Sequence, residues 1–213
     1  MNWARATFVL ALLGGTLGVL LDAWHVHTGT TRYAEPWVFG IATWTIPLFS
    51  SAGVLVGVVP VAVERAMHVE ISAGVPGKPG RHNCVGSALR TTPVEIARTT
   101  TPRIVVATAL FVVAYLLTGV LRGATCAIVL ALIALAIWQT TERPPAKIAF
   151  GHAALAGLGG ALVEMTLVHF GAFFHTDARL FGVAPWLPLL YVCASLALTP
   201  LARALLIAAP SSR

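Results

Sequence analysis

Glu164 is the residue whose type and position most need a chemical explanation, because its carboxyl group sits well inside a long apolar run. An ionisable side chain at bilayer depth costs at least about 2.5 kcal/mol on insertion scales, so it must face protein or a cavity. There it can hold a lipid hydroxyl, carry a proton, or hydrogen-bond a neighbouring helix while protonated. Glu164 is the one acidic residue that the sequence places well inside a membrane helix.

The seven histidines supply no obvious metal site. His25 and His27 are two apart at what reads as a membrane edge; on a helix they would point about 200° apart, and in an extended loop they would share a side. His152 and His169 are too far apart on one helix to form a pair, and no H-E-x-x-H pattern occurs. Cys84, Cys126 and Cys193 match no zinc or redox spacing and read as small packing residues. There is no G-x-S-x-G elbow, P-loop, dinucleotide fingerprint or pair of catalytic carboxylates, so neither an enzymatic activity nor a cofactor or metal is expected.

The elements that position these residues follow from composition. Of 213 residues, 57% are hydrophobic and 10% charged, with a mean hydropathy of +0.83. A soluble domain carries roughly a quarter charged residues. The bilayer must therefore be the solvent for most of the chain. Six stretches are free of Asp, Glu, Lys and Arg save for Glu164 in the fifth: Arg5 to Asp22, Glu35 to Glu64, Arg103 to Arg122, Arg122 to Glu142, the run after Lys147, and Arg179 to Arg203. Each has the length of a spanning helix, roughly 17–25 residues. The reading is an all-α integral membrane protein, one domain over 1–213 with six transmembrane helices. Arg5 precedes an apolar run that resembles a signal sequence, but no A-x-A cleavage pattern follows, which favours an uncleaved first helix.

Assigning loops alternately to the two sides leaves Arg32, Arg122 and Arg179 on one side and the other eleven basic residues on the side of both termini. By the positive-inside rule both termini are cytoplasmic. The net charge of +6 thus reports topology, not nucleic-acid binding. The segment of about 64–103 reads as a long flexible cytoplasmic loop, rich in Pro and Gly near its middle.

Helix two is expected to run from Trp37 to about Val63 and to be kinked at Pro47 and Pro60. A bent helix can border a cavity, though a packing kink is equally compatible. Small residues at four-residue spacing, Gly14 with Gly18, Gly53 with Gly57, and Ala153 with Gly157 and Ala161, favour close helix contacts. Trp37, Trp44, Trp138 and Trp186 fall at helix ends, where indole rings suit the headgroup level. Trp44 and Trp138 alternatively line a lipid pocket.

The C-terminal half carries a family resemblance. Trp138-Gln139-Thr140-Thr141-Glu142-Arg143 resembles the W-W-T-F-D-R segment ending the fourth helix of Insig proteins. Leu167-Val168-His169-Phe170-Gly171 with Thr176 resembles their L-V-Y-N-G and following T, and Trp186-Leu187-Pro188 their W-L-P. Arg203 matches a basic residue near the end of the last helix. In the first half, Trp44, Pro47, Ala52, Val56 and Gly57 follow the family's W-x-x-P-x-x-x-x-A-x-x-x-V-G, and Phe111 falls on a family Phe. The resemblance covers roughly residues 40 to 205, with the long loop as an insertion. Glu142 stands in place of the family's Asp, Thr125 in place of Gln, and Phe170 in place of Asn.

Insig proteins are regulatory endoplasmic reticulum membrane proteins that bind oxysterols and retain a sterol-sensing partner, without catalytic activity. The resemblance implies an intramembrane lipid pocket at Phe111, Val129 and Trp138, and a partner contact at Glu142. Together with the residue-level reading, the expected lipid-binding set is Trp44, Pro47, Phe111, Thr125, Val129, Trp138, Glu164 and His169. The expected ligand is a neutral membrane lipid, diacylglycerol or sterol-like. A membrane-protein partner and a homo-oligomer are compatible with it, and the inner membrane is the expected location if the source is bacterial. A small proton-coupled transporter using Glu164 is the alternative. A scaffold assembled through small-residue helix faces is a third reading.

Overall fold

A chain crossing hydrocarbon must satisfy its backbone hydrogen bonds internally, and the apolar stretches do so as helices. The computed structural model describes residues 2–73, 100–141 and 146–207. Among these, six helices are long and apolar enough to cross a membrane. They are α1 (Trp3–His27), α2 (Thr45–Ala73), α3 (Thr101–Thr118), α4 (Gly123–Thr140), α5 (Ala146–His169) and α6 (Leu187–Ile207). The chain is an all-α integral membrane protein. Cys126 and Cys193 are buried free thiols in α4 and α6. Cys84 and the proline- and glycine-rich part of the long loop lie outside the described residues.

Three expectations about helix limits are corrected. First, α1 does not stop before Asp22: it runs on to His27 through a π-helical stretch at Gly14–Gly18. Treating a charge as a boundary fails here because Asp22 is buried in protein. Second, α2 starts at Thr45, since Trp37 precedes a short 3-10 turn, Val38–Gly40, in which Phe39 has a left-handed backbone. At its other end α2 continues past Glu64 to Ala73. Third, Pro47 lies in the first turn of α2, where its nitrogen would have no intrahelical acceptor, so it breaks nothing. Pro60, in the interior, does strip Val56 of its helical donor. The hydroxyl of Thr199 on α6 points back to the Val56 carbonyl at 3.4 Å, so a neighbouring helix covers the defect.

Helix α6 is the hub. Its spanning window is 56% buried within the protein, against 17–28% for the other five. Close approach of backbones depends on glycine. A Cβ on Gly14 would lie 2.0 Å from the Phe49 carbonyl of α2, and one on Gly53 would lie 2.6 Å from the Leu10 carbonyl of α1. Gly157 of α5 stands in the same way against Pro188 of α6.

At one end of the bundle the loop after α1 and the loop after α5 join as a two-stranded antiparallel sheet. Strand β1 (Thr31–Tyr33) pairs with β2 (Phe173–His175) in the register Thr31 with His175 and Tyr33 with Phe173. Side-chain alternation turns Thr31, Phe173 and His175 inward and leaves Arg32 and Phe174 outside. Exposed Trp37, Phe39, Phe170 and Phe181 ring this end, as aromatic residues do at a membrane interface. At the opposite end, the Arg65 guanidinium lies 5.5 Å from the Trp3 ring. There Glu64 of α2 pairs with Arg203 of α6, and His152 of α5 approaches Glu64 at 3.6 Å.

Gly14→Ala is therefore expected to force α1 from α2 and to lower stability by about 1–3 kcal/mol, the usual range for overpacking. Gly159→Ala, whose added methyl would meet nothing within 4 Å, is expected to be neutral or slightly stabilising. Thermal unfolding of both variants in detergent compares them, and equal melting temperatures would refute the close crossing.

Candidate functional site

Between the helices lies a cavity whose walls come from five helices and both strands. Leu10 and Leu17 of α1, Leu48, Phe49 and Val56 of α2, Phe111 of α3 and Leu198 of α6 give it an apolar body. Its volume is about 130 Å³.

The sheet end of the cavity has a different chemistry. Asp22, carried inward by the last turns of α1, accepts a hydrogen bond from the Tyr33 hydroxyl of β1. Burial first, and then the adjacent Asp22 carboxyl, push the Tyr33 phenol above its ordinary range, so it remains a proton donor. Glu164, near the end of α5, uses both oxygens. Oε1 accepts from the Tyr191 hydroxyl of α6 at 2.6 Å, and Oε2 accepts from His175 Nε2–H of β2 at 3.0 Å. With that proton on Nε2, the other ring nitrogen of a neutral His175 is an acceptor.

Aromatic rings hold these groups in place. Tyr33 meets Trp44 edge-on at 5.5 Å, and Phe173 meets His175 at 5.2 Å. His25 stacks on Tyr115 at 4.6 Å. The Thr118 hydroxyl donates to the Tyr115 carbonyl at 2.6 Å, so its oxygen is left to accept from His25 Nε2–H at 2.7 Å. Three buried polar atoms at this end have no partner among the described residues: Thr31 Oγ1, His175 Nδ1 and Trp186 Nε1. All three residues line the cavity, and none of the lining residues is Lys or Arg.

Of the residues expected from sequence, Trp44, Phe111 and Glu164 line this cavity. The others do not. Pro47 sits in the first turn of α2, off the lining. Thr125 is exposed and Val129 half-buried on α4, which stands behind α3 and α6. Trp138 of α4 packs against Phe150 of α5, with ring centroids 5.7 Å apart. His169 is exposed at the end of α5 beside Phe170. Glu142 lies outside the described residues. Trp186, expected at the headgroup level, is instead 1% exposed in the core; it does end a helix, but on the inward side.

Sequence reasoning missed Asp22, Tyr33, Thr31, His175 and Tyr191. Asp22 makes a second membrane-embedded carboxyl group beside Glu164, where one was expected. A signal for it was present, because Leu17–Leu21 before it and Ala23–Trp24 after it are apolar on both sides. The strand residues lie in what read as connecting loops. Their inward alternation emerges only when β1 and β2 pair, across more than 130 residues of sequence.

No family model matches the sequence, and no curated protein matches it. The structure matches that of a mycobacterial Insig homolog, MvINS from Mycobacterium vanbaalenii, with a TM-score of 0.69 and 22% identity. The match covers 97% of this chain and 96% of that one. A cross-linked trimer of MvINS matches with a TM-score of 0.67 and 24% identity over the same shares. The six-helix architecture reached from charge and hydropathy is thus the fold of an Insig homolog.

Glu164→Ala should leave the Tyr191 hydroxyl and the His175 ring N–H buried without an acceptor. Each such orphan costs about 1–3 kcal/mol. Glu164→Gln retains one acceptor oxygen and should lose less. Unfolding curves for the two variants report this order, and an Ala variant as stable as the Gln variant would contradict the network.

Proposed function

We propose that the chain is an Insig-like, non-enzymatic membrane protein that holds a neutral lipid, diacylglycerol or sterol-like, in the cavity between its helices. One observation carries the reading: the cavity has an apolar body and a single polar end, the pattern of an amphiphile's two parts. Acyl or ring carbons would bury against Leu17, Phe49, Phe111 and Leu198, and the polar end of the molecule would lie toward Glu164 and Asp22. The cavity of about 130 Å³ is near the size that takes a benzene-scale molecule. A whole lipid would therefore extend out of the cavity between the helices.

The fold shared with an Insig homolog supports the same reading, as does the run of Insig-like motifs. On this reading both termini and the basic loops face the cytoplasm, and the small sheet faces the opposite side. If the source is bacterial, the membrane is the inner one. MvINS is named as a trimer in the solved structure, and this chain is proposed to form a homo-oligomer as well.

Native mass spectrometry of the detergent-purified protein provides the test. Wild type is expected to carry one neutral lipid per chain. Ala52→Phe, which fills the cavity from α2, should lose it, whereas Trp138→Ala should keep it because Trp138 packs against Phe150 outside the lining. Bulk phospholipid alone, equal in all three proteins, would overturn the lipid pocket.

A proton-coupled carrier is the second reading, and the pairing of Asp22 with Glu164 on one cavity favours it more than a lone carboxyl group would. A carrier should give proton-driven flux in proteoliposomes that Glu164→Gln or Asp22→Asn abolishes. No flux under any imposed gradient would dismiss it.

A further inference from the structure

Two parts of the chain repeat one another at a constant offset of 142 residues. Val38-Phe39-Gly40-Ile41-Ala42-Thr43-Trp44 recurs as Leu180-Phe181-Gly182-Val183-Ala184-Pro185-Trp186, and the same offset takes Gly15, Gly18, Asp22, His27 and Gly29 to Gly157, Gly160, Glu164, His169 and Gly171. The fold follows it. Helices α1 and α5 end at His27 and His169, the strands span Thr31–Tyr33 and Phe173–His175, and α2 and α6 begin at Thr45 and Leu187. Tyr33 bonds Asp22 as His175 bonds Glu164, and Gly18 faces Phe49 as Gly160 faces Tyr191.

Exchanging each residue with its counterpart maps the strand pair Thr31 with His175 onto Tyr33 with Phe173, and leaves Arg32 with Phe174 in place. The units α1–β1–α2 and α5–β2–α6 are thus related by a pseudo-two-fold axis through that central pair. Because α1 and α5 both run toward the sheet, the axis lies along the bundle.

Between its strand and its second helix, each unit makes the same two-residue turn. Phe39 with Gly40, and Phe181 with Gly182, all have positive φ. Ile41 N–H and Val183 N–H close the turns on the Val38 and Leu180 carbonyls at 3.2 and 3.0 Å. Such a turn favours Asn, Asp or Gly at its first central position, where a bulky side chain is a backbone outlier. Both units nevertheless place Phe there, 73% and 83% exposed. A residue that twice works against its own backbone, while packing little against its own protein, is explained by what its ring meets outside the chain.

The symmetry and the height of the turns decide what that is. Each turn rests on the first helix of its unit, Gly40 against Val26 and Gly182 against Val168, one residue short of where those spans end. That is the level of the headgroups, where aromatic rings are favoured. The axis places the two rings on opposite flanks of the bundle. A protein seated on one flank would leave the other bare, whereas the bilayer surrounds both.

We propose that Phe39 and Phe181 form a paired membrane anchor: both rings enter the leaflet at the sheet end, on opposite sides of the bundle, and hold that end at a fixed depth. The pair resists tilting, since a tilt that sinks one ring lifts the other. Interfacial anchors are among the contacts that set how a span sits in the bilayer.

The test places spin labels on the full chain in vesicles of dioleoyl phosphatidylcholine, at Phe39→Cys, Phe181→Cys and Arg32→Cys. Each variant carries Cys84→Ser, and Cys126 and Cys193 are buried. Collision with oxygen, which concentrates in hydrocarbon, is compared with collision with a water-soluble nickel chelate. Labels at the two turns are expected to favour oxygen severalfold more than the label replacing Arg32, which is exposed on the outer face of the sheet. Turn labels as open to the chelate as that one would overturn the anchor. So would protection of either turn label from both reagents, the mark of a covering protein or a second copy. Anchoring is read separately in the double variant Phe39→Asn and Phe181→Asn, which suits the turn and removes both rings. A label at Phe170→Cys, at the same end, is expected to gain access to the chelate in that variant while the melting temperature in detergent holds. Unchanged access there would overturn the proposal, and this arm stands even if a cysteine at either turn prevents folding.

Discussion

Hydrocarbon offers no hydrogen bonds, so every polar group carried into the bilayer has to be met by another part of the chain. That requirement organises this protein. Asp22 and Glu164 sit near the ends of α1 and α5, and both find partners: Asp22 the hydroxyl of Tyr33, Glu164 the hydroxyl of Tyr191 and the ring of His175. Two of those three partners are strand residues. The small sheet exists at this place because it delivers Tyr33 and His175 to the carboxyl groups. Its register, Thr31 against His175 and Tyr33 against Phe173, sends the required side chains inward together. A slip of one residue would turn Arg32 and Phe174 inward instead.

The same requirement explains the irregular helices. Pro60 leaves the Val56 carbonyl without its helical donor, and the Thr199 hydroxyl of α6 faces it. Such cover is feasible because α6 lies at the centre of the bundle, so its polar side chains reach what the other helices expose. Glycine at the crossings of α1 with α2, and of α5 with α6, brings the backbones near enough for short side chains to act across them.

The sequence made the membrane class and the number of spans legible, because charge-free length and hydropathy answer directly to bilayer thickness. The helix limits were less legible for a specific reason. A charged residue was treated as marking the edge of a span, a rule that fails when the carboxyl group is enclosed by protein and hydrogen-bonded there, as with Asp22. Trp44, Phe111 and Glu164 do reach the cavity lining, the first two through motif resemblance and the last through its cost in lipid. Thr125, Val129 and Trp138 do not, because which face a helix turns inward depends on its neighbours, and α4 packs behind α3 and α6. The residues at the polar end were hardest to find. They come from α1, β1, α5, β2 and α6, and nothing in local spacing brings Thr31 next to His175.

The sheet that completes the polar end also determines how that end can behave. Beyond its own pairing it is tied at both ends: Thr176 N–H donates to the Thr30 carbonyl at 2.9 Å, and Ala34 N–H to the Ala172 carbonyl at 3.2 Å. The Thr176 hydroxyl donates to the Gly29 carbonyl, in a turn where Gly29 takes a left-handed backbone. Gly171, at the end of α5, takes the same conformation, so both chains enter the sheet through glycine turns. Swinging the sheet aside would break these bonds and withdraw Tyr33 and His175 from two buried carboxyl groups at once. The polar end is therefore a fixed floor of the cavity, held by the sheet's own pairing, by the bonds at its two ends and by its contacts with both carboxyl groups.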